Sequence, residues 1–452
     1  MDLGPQGGLD WNRLFRQKGF PFLFVAMFVS LFGTGMNFAG VTWYVLEQTG
    51  SAKATALITV LVTLPGLFVP PFGGVLIDRV DRRYLGITLD LARAGVVLAT
   101  AALISLGHGD VWHIYLMVLL LGVGFSIYWN TTHALLQEVT GGQFLVSANS
   151  AVLIAVQGGM MSAGAVVGFL YERIHLAGIL TIDGITYLVS AFCLLNLRHG
   201  YHPPHGHEES SVVVVGEAGA ESARATDGEL ILPLADEIEP LPGAKPGLVI
   251  GFLRDLREGF RYLRSQPRVL SLGLTYACMM AGVLSSNVLL AALSKDVLRA
   301  GAKGFGFMEA GWALGAVVGG LTVNLLVQRY LPRVILLAAL TTLAVGHALF
   351  PYVQILAIAV AMHALFGMCR AYGGVLTQSS IMNTVPRRLM GRTQSSFSII
   401  ATVLQVIMSF TLGALADHVG LPVAFGVLGM LYGISALSAY HLKRLPADTG
   451  GP

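Results

Sequence analysis

Apolar residues run along this chain in stretches too long for the helices of a soluble protein. The segments "FLFVAMFVSLFGTGMNFAGVTWYVL", "VILLAALTTLAVGHALFPYV" and "LPVAFGVLGMLYGISALSAYHL" each approach or exceed the roughly 20 residues a helix needs to cross a bilayer. Reading the whole chain in such windows predicts twelve spans, near 20–46, 53–77, 84–106, 112–137, 144–171, 176–197, 268–293, 305–327, 332–351, 354–383, 390–415 and 421–442. Nothing alternates in the manner of a membrane barrel, and a helix satisfies its own backbone where lipid offers no partner. The pattern is that of an all-α membrane protein.

Two segments depart from it. Residues 201–248 are rich in Gly, Pro, Glu and Ala and hold too little apolar surface for a core, which predicts a disordered linker. It divides a short tail (1–19) and a first six-span half (20–200) from a second half (249–452). Just after it, "GFLRDLREGFRYLRSQP" sets Phe252, Leu256, Phe260 and Leu263 at helical spacing among arginines, the pattern of an amphipathic helix lying on a membrane surface.

Composition narrows the function classes. Only 12% of residues are charged, about half the roughly 25% usual in soluble domains. Cys193, Cys278 and Cys369 all lie in apolar runs without metal-type spacing and read as small hydrophobes, so neither disulfide, metal nor cofactor is expected. The histidines of the linker (His199, His202, His205, His207) fit a solvated tract better than a metal site. The first apolar run is too long, and lacks the cleavage site, to be a removable signal peptide. H-E-x-x-H, G-x-S-x-G and P-loop motifs are absent, which argues against an enzyme and against ATP-driven work. Nothing points to nucleic acid as a partner. Of the 28 Lys and Arg, twenty-one fall in the termini and the inter-span segments on their side, and five on the other side. The positive-inside rule then puts both termini in the cytoplasm.

The chain also repeats itself. "GGVLIDRVDRRYL" from Gly73 and "GGLTVNLLVQRYL" from Gly319 align at an offset of 246, so that Arg83 meets Arg329, Tyr84 meets Tyr330 and Asp78 meets Asn324. The same offset carries Val139 of "QEVTGGQFLVSANS" onto Val385 of "NTVPRRLMGRTQS". Two loops in one register predict two halves of one design.

"GGVLIDRVDRR" resembles the signature G-x-x-x-D-R-x-G-R-R that the major facilitator superfamily of secondary transporters carries between its second and third helices. Asp81 stands where the general pattern has glycine, and that form resembles the branch of drug, macrolide and siderophore exporters. "LREGFRYLRSQP", "VPRRLMGRTQS" and "IDGITYLVSA" are similar to the same branch. The resemblance implies twelve helices in two pseudo-symmetric six-helix halves that alternate access around a midplane site. It implies a monomer in the cytoplasmic membrane, exporting a hydrophobic or amphipathic small molecule with protons as the coupling ion. It also implies a cytoplasmic gate of Gly74, Asp78, Arg79, Asp81, Arg82 and Arg83, with Gly391 and Arg392 opposite at the start of the eleventh span. A transporter-like receptor or scaffold without flux, and an importer of the same fold, stay open.

Polar residues inside the spans supply candidates for the site. Asn37, Gln157, Asn287 and Gln405 read as interhelical hydrogen bonds or as cavity lining. Gly311, Gly315 and Gly319, four apart, read as a packing face. Asp183, Glu309 and Arg370 are costly in lipid unless they face a partner or a cavity. Arg370 lies deepest and keeps its proton, which suits a fixed counter-charge to a carboxylate or an anionic substrate. Asp183 is either a packing or a coupling residue. Glu309 is either a solvated helix end or a proton site.

Overall fold

The computed structural model describes residues 11–17, 19–69, 80–140, 145–197, 248–386 and 389–441. Among these the regular structure is helical. A short α1 (Trp11–Arg16) precedes α2 (Phe20–Thr49), which Gly50 ends in the left-handed conformation that glycine adopts without steric cost. The Ser51 side chain then caps α3 (Ala52–Thr63), and Pro65 opens its one-turn continuation α4 (Pro65–Phe68). Next come α5 (Arg82–Ser105) and α6 (Val111–Thr140). The helical run Leu145–Leu195 breaks at His175, whose φ of 53° no α-helix accommodates, giving α7 (145–174) and α8 (176–195).

The second half opens with α9 (Leu248–Ser265) and α10 (Pro267–Ala292). It continues through α11 (Gly301–Val327), α12 (Pro332–Leu349), α13 (Leu356–Thr384), α14 (Met390–His418) and α15 (Leu421–His441). Among the described residues ten helices are long and apolar enough to cross a membrane by length and composition, one of them spanning 158–195 across the His175 break; Ala52–Phe68 is a shorter apolar helix. With that helix added and the broken one counted as two, twelve passes result. They fall within a few residues of the expected spans, except that the end of the second, expected at 77, lies outside the described residues.

The internal repeat is visible in where helices begin. Phe20 and Pro267, Arg82 and Pro332, Val111 and Leu356, and Leu145 and Met390 pair at offsets of 245 to 250 residues. The outer surface is apolar, with Phe192, Leu321 and Leu437 more than 60% exposed, as lipid-facing side chains are. The small-residue face does pack: Gly311, Gly315 and Gly319 lie against Val360, Ala364 and Met368 of α13, and a Cβ on Gly315 would overlap the Ala364 carbonyl.

Helix α9 is amphipathic; of the expected stripe Leu263 is buried against the start of α14 and Phe260 is 40% exposed, while the side chains of Phe252 and Leu256 lie outside the described residues. Gly259, without a side chain, lets the backbone approach Arg392 and Ser396 of α14 closely. The expected linker lies almost wholly in 198–247, outside the described residues.

Candidate functional site

A cavity of about 290 Å³ lies where the two halves meet. Gly35, Met160 and Arg370 line it, and each stands near the middle of its helix, so the cavity sits at mid-depth. The first half contributes α2 and α7 through Gly35, Phe38, Met160 and Gly164. The second contributes α10, α11 and α13 through Asn287, Phe305, Glu309, Trp312 and Arg370. A larger hollow of about 700 Å³ opens on the face between α12 and α13, lined by Val334, Leu337, Val345 and Leu365 with two threonines. It holds no ionisable group and belongs to one half only. The smaller cavity, charged and shared, is the candidate site.

Its two charges are not paired with each other. Glu309 lies against Gly164 of α7, and its Oε1 is buried without a hydrogen-bond partner. The Arg370 Nη2 donates to the Met280 sulfur at 3.2 Å, while its Nε is buried without a partner. Because Gly311 faces Val360 and Gly319 faces Met368, α11 and α13 run in parallel register. Glu309 is therefore about three turns, roughly 18 Å along the axis, nearer the Gly301 end than Arg370. An acidic pole and a basic pole result, with Trp312 and Ala316 between them.

The remaining candidates are distributed elsewhere. Asn37 donates to Asp183 Oδ2 at 2.8 Å, and both are buried inside the first half, off the cavity wall. Asn287 lines the cavity, whereas the side chain of Gln157 lies outside the described residues. Gln405 bridges the halves, donating to Thr63 Oγ1 at 2.7 Å. Beside Asp183 lies an ion pair that span counting passed over. Asp90 and Arg93 are joined at 0% and 3% exposure, Ser190 donates to Asp90 Oδ2 at 2.6 Å, and the guanidinium lies 4.0 Å and 4.4 Å from the ring centres of Tyr128 and Tyr187. Their three-residue spacing on one helix was the available signal.

Each described member of the charged turn has a local partner. The Asp81 carboxylate caps α5, accepting from the Arg83 backbone N–H at 2.8 Å. Arg82 pairs with Glu138 of α6, and Arg83 donates to the Leu194 and Leu195 carbonyls at the end of α8. Arg392 pairs with Glu258 of α9 at 2.6 Å, and Gly391 beside it is unencumbered. Gly74, Asp78 and Arg79 lie outside the described residues.

At the opposite end of the helices the halves are stitched together. Asp417, at the end of α14, caps the start of α3 from across the interface: it accepts from Ser51 Oγ at 2.5 Å and from the backbone N–H groups of Ala52 and Lys53 at 2.7 and 3.1 Å. Lys295 Nζ donates to the Leu46 carbonyl at 2.9 Å, and Lys303 pairs with Glu172 at 2.6 Å. Gly168 and Gly306 let α7 and α11 touch backbone to backbone, and Trp43 stacks on Phe305 nearby.

Two like halves around a shared mid-depth cavity is the architecture of one large group of secondary transporters, and a family model decides the matter. Residues 23–400 match the model of the Major Facilitator Superfamily. The chain belongs to that superfamily. Among its relatives in the superfamily are the macrolide efflux protein A of Streptococcus pyogenes, 25% identical over 69% of this chain and 67% of that protein, and the multidrug efflux pump Tap of Mycolicibacterium fortuitum, 24% identical over 91% and 93%. The enterobactin exporter EntS of Shigella dysenteriae serotype 1 is 23% identical over 97% and 96%. Among solved structures, a bacterial homologue of the iron transporter ferroportin in an inward-facing state overlays with a TM-score of 0.64 at 18% identity, covering 95% of this chain and 100% of that one. The nucleoside transporter NupG overlays at 0.65 and 12% identity, covering 93% and 98%. The protein is thus a multi-pass membrane transporter of the major facilitator fold, and that superfamily is not one of enzymes.

Proposed function

We propose that this transporter exports an amphipathic small molecule across the cytoplasmic membrane, driven by proton entry. The observation that carries the reading is the mid-depth cavity, built by both halves and holding an unpaired carboxylate beside apolar and aromatic walls. The distribution of Lys and Arg supports cytoplasmic termini, which makes the end stitched by Asp417 the outer one. Outward direction is supported by the efflux and exporter functions named for three relatives. The transporter works as a monomer, its two halves supplying both gates.

Glu309 is the proton carrier in this scheme. It can meet protons from whichever side the cavity opens to, and among the described residues no cation is paired with it. Gate residues Asp78 and Arg392 form a clamp once the cytoplasmic mouth closes; cysteines at 78 and 392 that never crosslink in any state would count against it. A growth screen tests the whole proposal: cells making the protein are challenged with toxic dyes, macrolides and siderophore-type compounds, with and without a protonophore. Resistance that the protonophore abolishes is expected. In that assay Glu309→Gln should reduce resistance at least about ten-fold at matched protein level, and wild-type, protonophore-sensitive resistance in the variant would remove Glu309 from the mechanism. Binding in membranes without flux would favour a receptor, and uptake would favour an importer.

A further inference from the structure

The internal repeat allows the two halves to be compared residue by residue, and they differ in their buried charges. In the first half a guanidinium, Arg93, sits beside the Tyr187 ring with Asp90 as its acid. A Cβ on Gly124 would lie only 3.2 Å from the Arg93 side chain, so a larger residue there would crowd it. Under the 246-residue offset, Gly124 corresponds to Arg370 and, within one residue, Tyr187 corresponds to Tyr432. The second half therefore also holds one guanidinium at this level, delivered from α13 instead of α5. The acids do not follow it. The positions matching Asp90 and Asp183 are filled by the buried, neutral Leu336 and Leu428, the latter within one residue of exact register.

Arg370 is thus a half-buried cation whose described neighbours offer a thioether at 3.2 Å and no carboxylate. Glu309, the acid of the same cavity, stands about three turns away and cannot reach it. An arginine at mid-depth keeps its charge, and an unpaired charge there is costly unless something it meets in the working cycle answers it. Its unpartnered Nε belongs to a guanidinium that lines the cavity, the arrangement that accepts a planar anion through two parallel hydrogen bonds. The wall above it is apolar and aromatic: Phe38, Phe305, Trp312 and Met160.

We infer that the transported molecule is an amphipathic organic anion, its carboxylate or comparably delocalised acid group seated on Arg370 and its apolar body along Phe38 and Trp312. This deepens the transport reading given above and rests on it. Glu309, at the far pole, does not contact the anionic group and is left for the proton.

Three naphthalene probes of one shape test the assignment: a naphthyl carboxylate, its neutral carboxamide and the matching naphthylmethyl ammonium. Binding of each to the purified full-length protein in lipid nanodiscs is followed by fluorescence anisotropy. The carboxylate should bind at least about ten-fold more tightly than the other two, a typical gain for a charge-assisted bond. Arg370→Gln should erase that preference while leaving carboxamide affinity within about two-fold. Arg370→Lys, which keeps the charge but not the fork, should retain part of it. Equal affinity for carboxylate and carboxamide, preference for the ammonium, or binding of none of the three by the wild type would each overturn the inference. So would an Arg370→Lys protein that folds and binds the carboxylate no better than Arg370→Gln. Flux in proteoliposomes is measured in parallel. Anion preference without flux defeats the transport reading alone, and flux with ammonium preference defeats the anion assignment alone.

Discussion

Asp90 and Arg93 show how much rides on single side chains in this interior. The pair is nearly inaccessible, with Ser190, Tyr128 and Tyr187 around it, although Arg93 Nε and Nη1 are buried without a hydrogen-bond partner. Removing one partner leaves the other charge buried and uncompensated, which costs about 3–5 kcal/mol where it has been measured, whereas replacing both with apolar groups is often nearly neutral. Asp90→Leu should lower unfolding stability in mixed micelles by about that amount. Asp90→Leu with Arg93→Met should recover most of it. If the double variant is as unstable as the single one, the pair is not the unit it is taken for here. Hydropathy could not reveal this pair, because one acid and one base barely lower the mean of an apolar window. Its helical spacing could, and Asp183 was visible for the related reason that an acid stood alone in its span. What sequence could not show is that Asn37, distant in the chain, answers Asp183 at 2.8 Å.

At the scale of the helices, periodicity and length located almost everything, since membrane thickness fixes how long an apolar helix must be. The repeat carried the pairing of helix starts for the same reason: duplicated halves keep their lengths. The close approach of α9 to α14 at Gly259 was not legible, because a glycine carries no apolar signal of its own. The cap that Asp417 provides escaped too, since an acid at a helix end reads as solvated until the partner helix is known. That cap is a latch at the end away from the linker. Three hydrogen bonds accepted by one carboxylate bind α14 to the start of α3 in the opposite half. Asp417→Ala should shift the population away from closure at that end by about ten-fold, in line with the loss of bonds to a charged group. Spin labels at Gln48 and His418, both exposed at that end, should report a longer distance in the variant. An unchanged distance distribution would show that Lys295 and Lys303 hold the end shut without Asp417.

For the whole molecule, the two halves are joined in space by their helices and in sequence by the linker. If association is carried by contacts such as Gly168 with Gly306 and Gln405 with Thr63, the linker only tethers. A flexible chain of about 25 residues already reaches roughly 25–30 Å, so deleting Glu208 to Gly228 should leave transport within about two-fold of wild type. Loss of transport in a deletion protein that inserts and folds would give the linker a function of its own.

Alternating access around the shared cavity is the claim on which the rest depends, and two distances measured together by pulsed EPR in nanodiscs test it most directly. One label pair, Gln48 and His418, spans the halves at the end latched by Asp417; the other, Gln137 and Tyr330, spans them at the linker end, and all four positions are exposed. The account predicts opposed motion: with Glu309→Gln, which mimics the protonated carrier, against wild type, one distance lengthens as the other shortens. Two distances that stay fixed, or that lengthen together, would contradict it.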